Sequence, residues 1–184
     1  MMKIIKLSTG IAIATLLFSG CANKVHDYSV STENIIVLKD MAKADKQISL
    51  GDFTDSGKEE SKLMCRLSTP IGTPEGETFA TYIKNAFQKE LLLSGLYDKN
   101  SKNKITANLN DIYGSTVIGN AYWSFDITLK STNGKEMNVK SRYDYESSYF
   151  ASSACSEMQR SFPLAVQKLI RDIINNPKFK ELIK

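Results

Sequence analysis

The stretch that decides the fold covers residues 121–145 and reads AYWSFDITLKSTNGKEMNVKSRYDY. It places an apolar residue at every second position, passes through a short turn that contains Gly134, and then alternates again. A period of two is typical of strands that bury one face, so the stretch predicts a β-hairpin. The apolar positions are Ala121, Trp123, Phe125, Ile127 and Leu129, followed by Met137, Val139, Tyr143 and Tyr145.

The register of this hairpin follows from which residues would face each other. A two-residue Asn-Gly turn would pair Leu129 with Asn138 and set apolar residues of one strand against polar residues of the other. A three-residue loop, with Gly134 left-handed in a bulge, pairs Leu129 with Met137 on the same face. We therefore predict the three-residue loop.

Two further strands are predicted upstream of the hairpin. Residues 47–53 have apolar side chains at intervals, and Gly51 allows a β-bulge that returns Phe53 to the core face. Residues 104–109 alternate strictly, which predicts a half-buried strand.

Two helices are predicted from apolar residues spaced three and four apart. The first is expected to begin with Thr73 as its cap and Pro74 in its first turn, and to end at Gly95. The second opens with the capping-box pattern of residues 156–159 and ends near Asn175. Pro163 either kinks this helix or marks its start.

The resulting order is strand, helix, strand, strand, strand, helix, within a single domain over residues 47–184. Each element has one apolar face, and these faces must be buried against one another. We therefore predict an α+β fold, a two-layer sandwich in which a mostly antiparallel four-stranded sheet carries two helices on one face.

The N-terminus predicts export and lipidation. Lys3 and Lys6 precede a short apolar run over residues 7–18, which falls below the roughly 20 residues needed to span a bilayer. The run ends in LFSGC, which resembles the lipobox of bacterial lipoproteins and marks Cys21 as the lipid-bearing residue. Residues 1–20 are then a signal peptide; the alternative is an ordinary signal peptide beside a coincidental cysteine.

The resemblance to lipoproteins also implies a location. Ala22 is not the Asp that retains such proteins in the inner membrane of Gram-negative cells, so we expect an outer-membrane lipoprotein with palmitate and other acyl chains on Cys21. Residues 21–46 are expected to form a lipidated N-terminus and tether, with 22–30 as tether. The apolar island Ile35–Leu38 is either a strand or a docking segment.

Removal of the signal peptide lowers the basic count from 24 to 22 against 20 acidic residues. This balance is too even to imply binding to nucleic acid or strong binding to anionic lipid.

Two cysteines remain once Cys21 carries lipid. In an oxidising compartment, an intramolecular disulfide between Cys65 and Cys155 is the default expectation. The alternative is a pair of buried thiols or a metal site. Metal is the weaker alternative because His26, the only histidine, lies in the expected tether, so we predict neither metal nor cofactor.

The chain resembles a group of small envelope lipoproteins: YajG-type proteins, the auxiliary lipoproteins of ABC transport systems, and the lipopolysaccharide-assembly lipoprotein that sits inside an outer-membrane barrel. The resemblance covers roughly residues 47–175 and implies a fold and an envelope setting, while no binding residue carries over. The stretches that carry it are Ile48–Phe53, Thr78–Gly95, Trp123–Leu129 and Ala165–Ile170.

No catalytic set is predicted. His26 stands close to the anchor, where it cannot serve a nucleophile, and the Ser-x-x-Lys pattern of residues 101–104 is interpreted as a solvated turn.

Aromatic residues beyond what one strand face can bury are the candidates for partner binding. They are Tyr143, Tyr145, Tyr149 and Phe150. The alternative is that the first two belong to the core and the last two cover the disulfide.

From these features we expect a non-enzymatic outer-membrane lipoprotein that acts as an accessory or binding module in envelope assembly or transport. Its expected partners are the membrane, through the lipid anchor, an envelope protein, and a small amphiphile. The alternatives are a periplasmic enzyme acting on peptidoglycan or lipid, and a surface-displayed adhesin or structural subunit of an envelope machine.

Overall fold

The computed structural model describes residues 23–42, 47–56 and 61–184. Cys21 and the expected signal peptide lie outside these residues. In chain order the elements are β1 (Asn23–Lys24), α1 (Thr32–Ala42), β2 (Ser49–Asp55), β3 (Lys62–Cys65), β4 (Thr69–Gly72), a 3₁₀ turn (Pro74–Gly76), α2 (Phe79–Ser94), β5 (Lys104–Val117), β6 (Asn120–Ser131), β7 (Glu136–Tyr145), α3 (Ala151–Asn175) and α4 (Phe179–Leu182).

The main sheet has four strands in the order β2-β5-β6-β7. β2 runs parallel to β5, and the other two pairings are antiparallel. α2 and α3 pack on the face that carries the buried side chains. The α+β sandwich with a mostly antiparallel four-stranded sheet is therefore confirmed.

The β6–β7 hairpin has the predicted register. Leu129 lies opposite Met137, and Ile127 lies opposite Val139. Gly134 has a φ of 82°, in the left-handed region that a three-residue loop with a bulge requires. The alternation of the sequence was sufficient to select this loop.

The predicted bulge in β2 is present as well. The register between β2 and β5 shifts between Leu50 and Phe53. A Cβ atom on Gly51 would lie 2.7 Å from Cγ2 of Thr106, so the close approach of the two strands requires glycine here.

β5 is longer than predicted, because it continues from Leu109 to Val117. A register shift between Leu109 and Asp111 moves the next buried side chain to Ile112. The bulge changes the phase of the alternation, and a strict period of two is therefore lost at this point.

The helices begin at different residues from those predicted. Thr78 caps α2, and its side-chain oxygen accepts a hydrogen bond from Thr81 N at 3.1 Å. Thr73 and Pro74 instead precede and begin the separate 3₁₀ turn, so the predicted start was wrong. α3 begins at Ala151, five residues before the capping-box pattern, so this predicted start was wrong as well. The predicted end of α2 is confirmed by Gly95, whose φ is 79°.

Aromatic side chains fill the centre between sheet and helices. Trp123 is fully buried, and its ring centroid lies 4.8 Å from that of Phe162. Its Nε1 donates to Met158 O at 3.2 Å and to Ser161 Oγ at 3.0 Å, which satisfies the buried indole.

A second sheet and α1 extend the predicted domain. β3 and β4 form an antiparallel hairpin, and β1 pairs in parallel with β4. α1 packs on α2 and α3.

Residues 23–42 belong to the folded unit, which corrects the expected tether and the domain boundary at residue 47. Val25 and Tyr28 are buried in the core. The island Ile35–Leu38 is part of α1 and not a strand, and it buries Leu38. The buried face of α1 also carries Asn34, so its apolar pattern is too weak to predict an amphipathic helix.

None of the helices in the described parts of the chain is long and apolar enough to cross a membrane.

Candidate functional site: an apolar surface beside the disulfide

Three connections meet at one end of the sandwich. They are the β3–β4 turn (residues 66–68), the β5–β6 turn (118–119) and the β7–α3 connection (146–150), which we call the loop cluster. The opposite end holds the β6–β7 loop, where Asn133 Nδ2 donates to Leu182 O of α4 at 3.2 Å. The two ends are separated by the length of β5.

Arg66 holds the loop cluster together. Its Nη2 donates to Thr116 O at 3.2 Å and to Ser148 O at 2.8 Å, and its Nη1 donates to Tyr149 O at 3.4 Å. Ser147 Oγ also donates to Thr116 O, at 2.9 Å. One guanidinium group therefore links the β3–β4 turn to backbone carbonyl groups at the end of β5 and in the β7–α3 connection.

The cysteine pair supports the cluster from within. Cys65 and Cys155 lie at disulfide distance, with their sulfur atoms 1.98 Å apart, as the sequence predicts. Both are buried. The pair joins the end of β3 to the early turns of α3, on either side of the cluster.

Five apolar side chains in the loop cluster and at the adjoining end of β5 are exposed to solvent, and we call them the apolar surface. Leu67 is 94% exposed, Tyr149 83% and Phe150 73%. Side chains this exposed protrude from the molecule and do not line a groove. The full set is Leu67, Val117, Ile118, Tyr149 and Phe150.

The backbone that presents Leu67 is strained. Arg66 has a φ of 50° and Leu67 a φ of 59°, a region that non-glycine residues rarely occupy. Each left-handed residue of this kind costs roughly 1–2 kcal/mol. The hydrogen bonds of Arg66 and the cysteine pair hold this conformation, and strain of this sort concentrates at functional positions.

The structure separates the four predicted aromatic residues into two groups. Tyr143 and Tyr145 are half-buried against the core, and Tyr145 Oη donates to Ser115 O at 2.8 Å. Burial raises the pKa of the Tyr145 hydroxyl. Tyr149 and Phe150 lie in the loop cluster and are exposed to solvent.

Sequence reasoning missed Leu67, Val117 and Ile118. Each is an apolar residue in or beside a turn, where no periodicity indicates which face it occupies. These residues could have been noticed because turns consist mainly of glycine, proline and small polar residues. An apolar residue in a turn therefore suggests a role other than folding.

A second feature lies between α1 and α2, where the Glu90 side chain is fully buried. Its Oε1 accepts hydrogen bonds from Tyr28 Oη, from Ser31 N at 3.0 Å and from Asn34 Nδ2 at 3.3 Å. Its Oε2 has no hydrogen-bond partner among the described atoms. Burial raises the pKa of Glu90, and the three donors and Arg171 partly oppose this.

Glu90 thus binds the N-terminal segment to the helices. Tyr82 Oη adds a bond to His26 O at 2.8 Å, so His26 lies on the domain and not in a tether. Burial raises the pKa of both tyrosine hydroxyls, those of Tyr28 and Tyr82. The hydrogen bonds of Glu90 and Tyr82 hold the backbone of the N-terminal segment in place. They do not resemble a catalytic set.

A cleft of about 320 Å³ opens beside this segment. Its lining mixes charged and apolar side chains, among them Asp27, Tyr28, Tyr82, Lys89 and Leu92.

The Ser-x-x-Lys pattern at residues 101–104 has a structural role. Ser101 Oγ donates to Gln47 O at 2.6 Å and closes a turn beside β2. Within the described ranges, no group of three or more His, Cys, Asp or Glu side chains is placed to hold a metal ion.

Comparison with models of protein families found no match, and comparison with curated proteins found none either.

Proposed function

We propose that this protein is a non-enzymatic lipoprotein of the outer membrane, attached through Cys21, and that it acts as an accessory binding module in envelope assembly or transport. The single observation that carries the binding role is the apolar surface. Five exposed apolar side chains lie on and beside loops that Arg66 and a buried cysteine pair hold in place, and exposed apolar patches often mark interaction sites.

The lipoprotein part of the proposal rests on the lipobox at Cys21. It is supported by the cysteine pair, because disulfides persist in the oxidising compartments outside the cytoplasm. The resemblance to small envelope lipoproteins supports the setting.

Metabolic labelling with palmitate in a Gram-negative cell tests the anchor. The wild-type protein is expected to take up label and to fractionate with the outer membrane, whereas Cys21→Ala takes up none. The matched control is Cys65→Ala/Cys155→Ala, which keeps Cys21 and should still be labelled. Equal labelling of Cys21→Ala and wild type would contradict the proposed lipid site.

Photo-crosslinking in intact cells tests the binding role. A photoreactive phenylalanine analogue in place of Tyr149 is expected to give adducts with an envelope component. The same analogue in place of Lys135, an exposed residue at the opposite end, should give none. Absence of adducts at both positions would exclude the apolar surface as a binding site.

A further inference from the structure

We infer that the apolar surface contacts the lipid bilayer in which Cys21 is anchored, so that the domain lies with its loop cluster on the membrane. This inference rests on the proposed lipidation. The proposed binding role does not say what binds to the apolar surface, and this inference identifies the lipid bilayer as its partner.

The direction of β1 is the first observation. Asn23 pairs with Ile71 and Lys24 with Gly72 in parallel, so the amino end of Asn23 is directed toward the Thr69 end of β4. Thr69 pairs with Cys65, and the turn between them presents Leu67. The chain therefore enters the described structure from the side of the loop cluster.

The length of chain outside the structure is the second observation. Cys21 precedes Asn23 by two residues, and an extended chain spans at most about 3.6 Å per residue. The lipid-bearing residue is thus within about 7 Å of Asn23, whatever its conformation. Val25 N donates to Gly72 O at 2.8 Å, so β1 is held on the domain. The chain that follows Asn23 therefore adds no length to the linker.

The shape of the apolar surface is the third observation. Leu67 and Tyr149 protrude from separate loops, and a fluid bilayer accepts such side chains without a complementary pocket. Tyrosine is also favoured at the membrane–water interface, where its ring is apolar and its hydroxyl is solvated.

The hydrogen bonds within the loop cluster are the fourth observation that favours contact with the bilayer. Backbone carbonyl groups that approach hydrocarbon must have donors, because water is not available to them there. Arg66 supplies donors to Thr116 O, Ser148 O and Tyr149 O. The loops can therefore approach the bilayer with these groups already satisfied.

Tryptophan fluorescence in vesicles tests the inference. The mature lipidated protein is reconstituted into vesicles of phosphatidylethanolamine and phosphatidylglycerol, with or without brominated phosphatidylcholine as quencher. Tyr149→Trp and Ile118→Trp report from two different loops, and both positions are exposed enough to accept the change. The native Trp123 is fully buried and supplies a constant background.

The control is Lys135→Trp at the far end of the sandwich. β5 has 14 residues, which separates this position from the loop cluster by about 45 Å. We expect brominated lipid to remove most of the added emission at positions 149 and 118, with a blue shift, and to leave that at 135 unchanged.

The outcomes separate the two proposals. Flotation with vesicles but no quenching at 149 and 118 would overturn the membrane contact and leave the anchor intact. A protein adduct from position 149 in cells, together with absent quenching, would assign the surface to a protein partner. Failure to float would contradict the anchor and, with it, the membrane contact.

Discussion

Glu90 binds the N-terminal segment to α2 through a carboxyl group that is fully buried. Three donors converge on one of its oxygens, while the other has none among the described atoms. A buried carboxylate with half of its acceptor capacity unused is costly when charged. The carboxyl group therefore makes the docking of this segment dependent on pH.

The sign of this dependence follows from the raised pKa of Glu90, whose ordinary value is 4.5. The stability linked to the neutral carboxyl group is fully present below about pH 4.5 and is lost as the pH rises through the folded-state pKa. Glu90→Gln stays neutral throughout. Relative to wild type, the variant should thus gain stability as the pH rises above about 4.5.

Urea unfolding at several pH values measures this difference. At about pH 4 both proteins carry a neutral side chain at position 90, so that pair of measurements serves as the internal control. A difference in unfolding free energy that does not change with pH would show that Glu90 keeps an ordinary pKa.

At the level of elements, the β6–β7 hairpin was predictable in full. Strict alternation set its faces, and one register matched apolar side chains across the strands. β5 was predictable only as far as Leu109, because a bulge changes the phase there. α1 was not predictable, since its buried face is specified by the bonds of Asn34 to Glu90 and to Gln167 O.

The conformation of the β6–β7 loop can be tested by a substitution at Gly134. Gly134 has a positive φ, and a Cβ atom there would meet no atom within 4 Å. Gly134→Ala should therefore lower the free energy of unfolding by about 1 kcal/mol through backbone strain alone. Thermal unfolding measures it, with Lys135→Ala as a control that should change little. Equal stabilities would mean that the loop adopts another turn.

At the level of the whole molecule, the cysteine pair joins positions 90 residues apart. A cross-link of that length stabilises mainly by restricting the unfolded chain, by up to about 4.5 kcal/mol. Cys65→Ser/Cys155→Ser should unfold at a clearly lower temperature than the oxidised wild type. If the variant matched the oxidised protein instead, the cross-link would contribute nothing to the stability of the fold.

The candidate site was only partly predictable. Tyr149 and Phe150 stood out because they exceed what a strand face can bury, and the structure places them in the loop cluster. Leu67 and Ile118 come from distant turns, and only the tertiary fold brings those turns together. No sequence pattern marked Arg66 as important, because its role depends on carbonyl groups of β5 and of the β7–α3 connection.

The pairing of β1 with β4 limits how far the folded domain can move from its proposed lipid anchor. A lipoprotein with a long disordered linker samples a thick layer of the periplasm, and its encounters follow concentrations in that volume. Only Ala22 stands between Cys21 and the first paired strand, so the proposed anchor gives the domain almost no flexible linker. Such a domain moves laterally with its lipid, and anything it meets must come to the plane of the membrane.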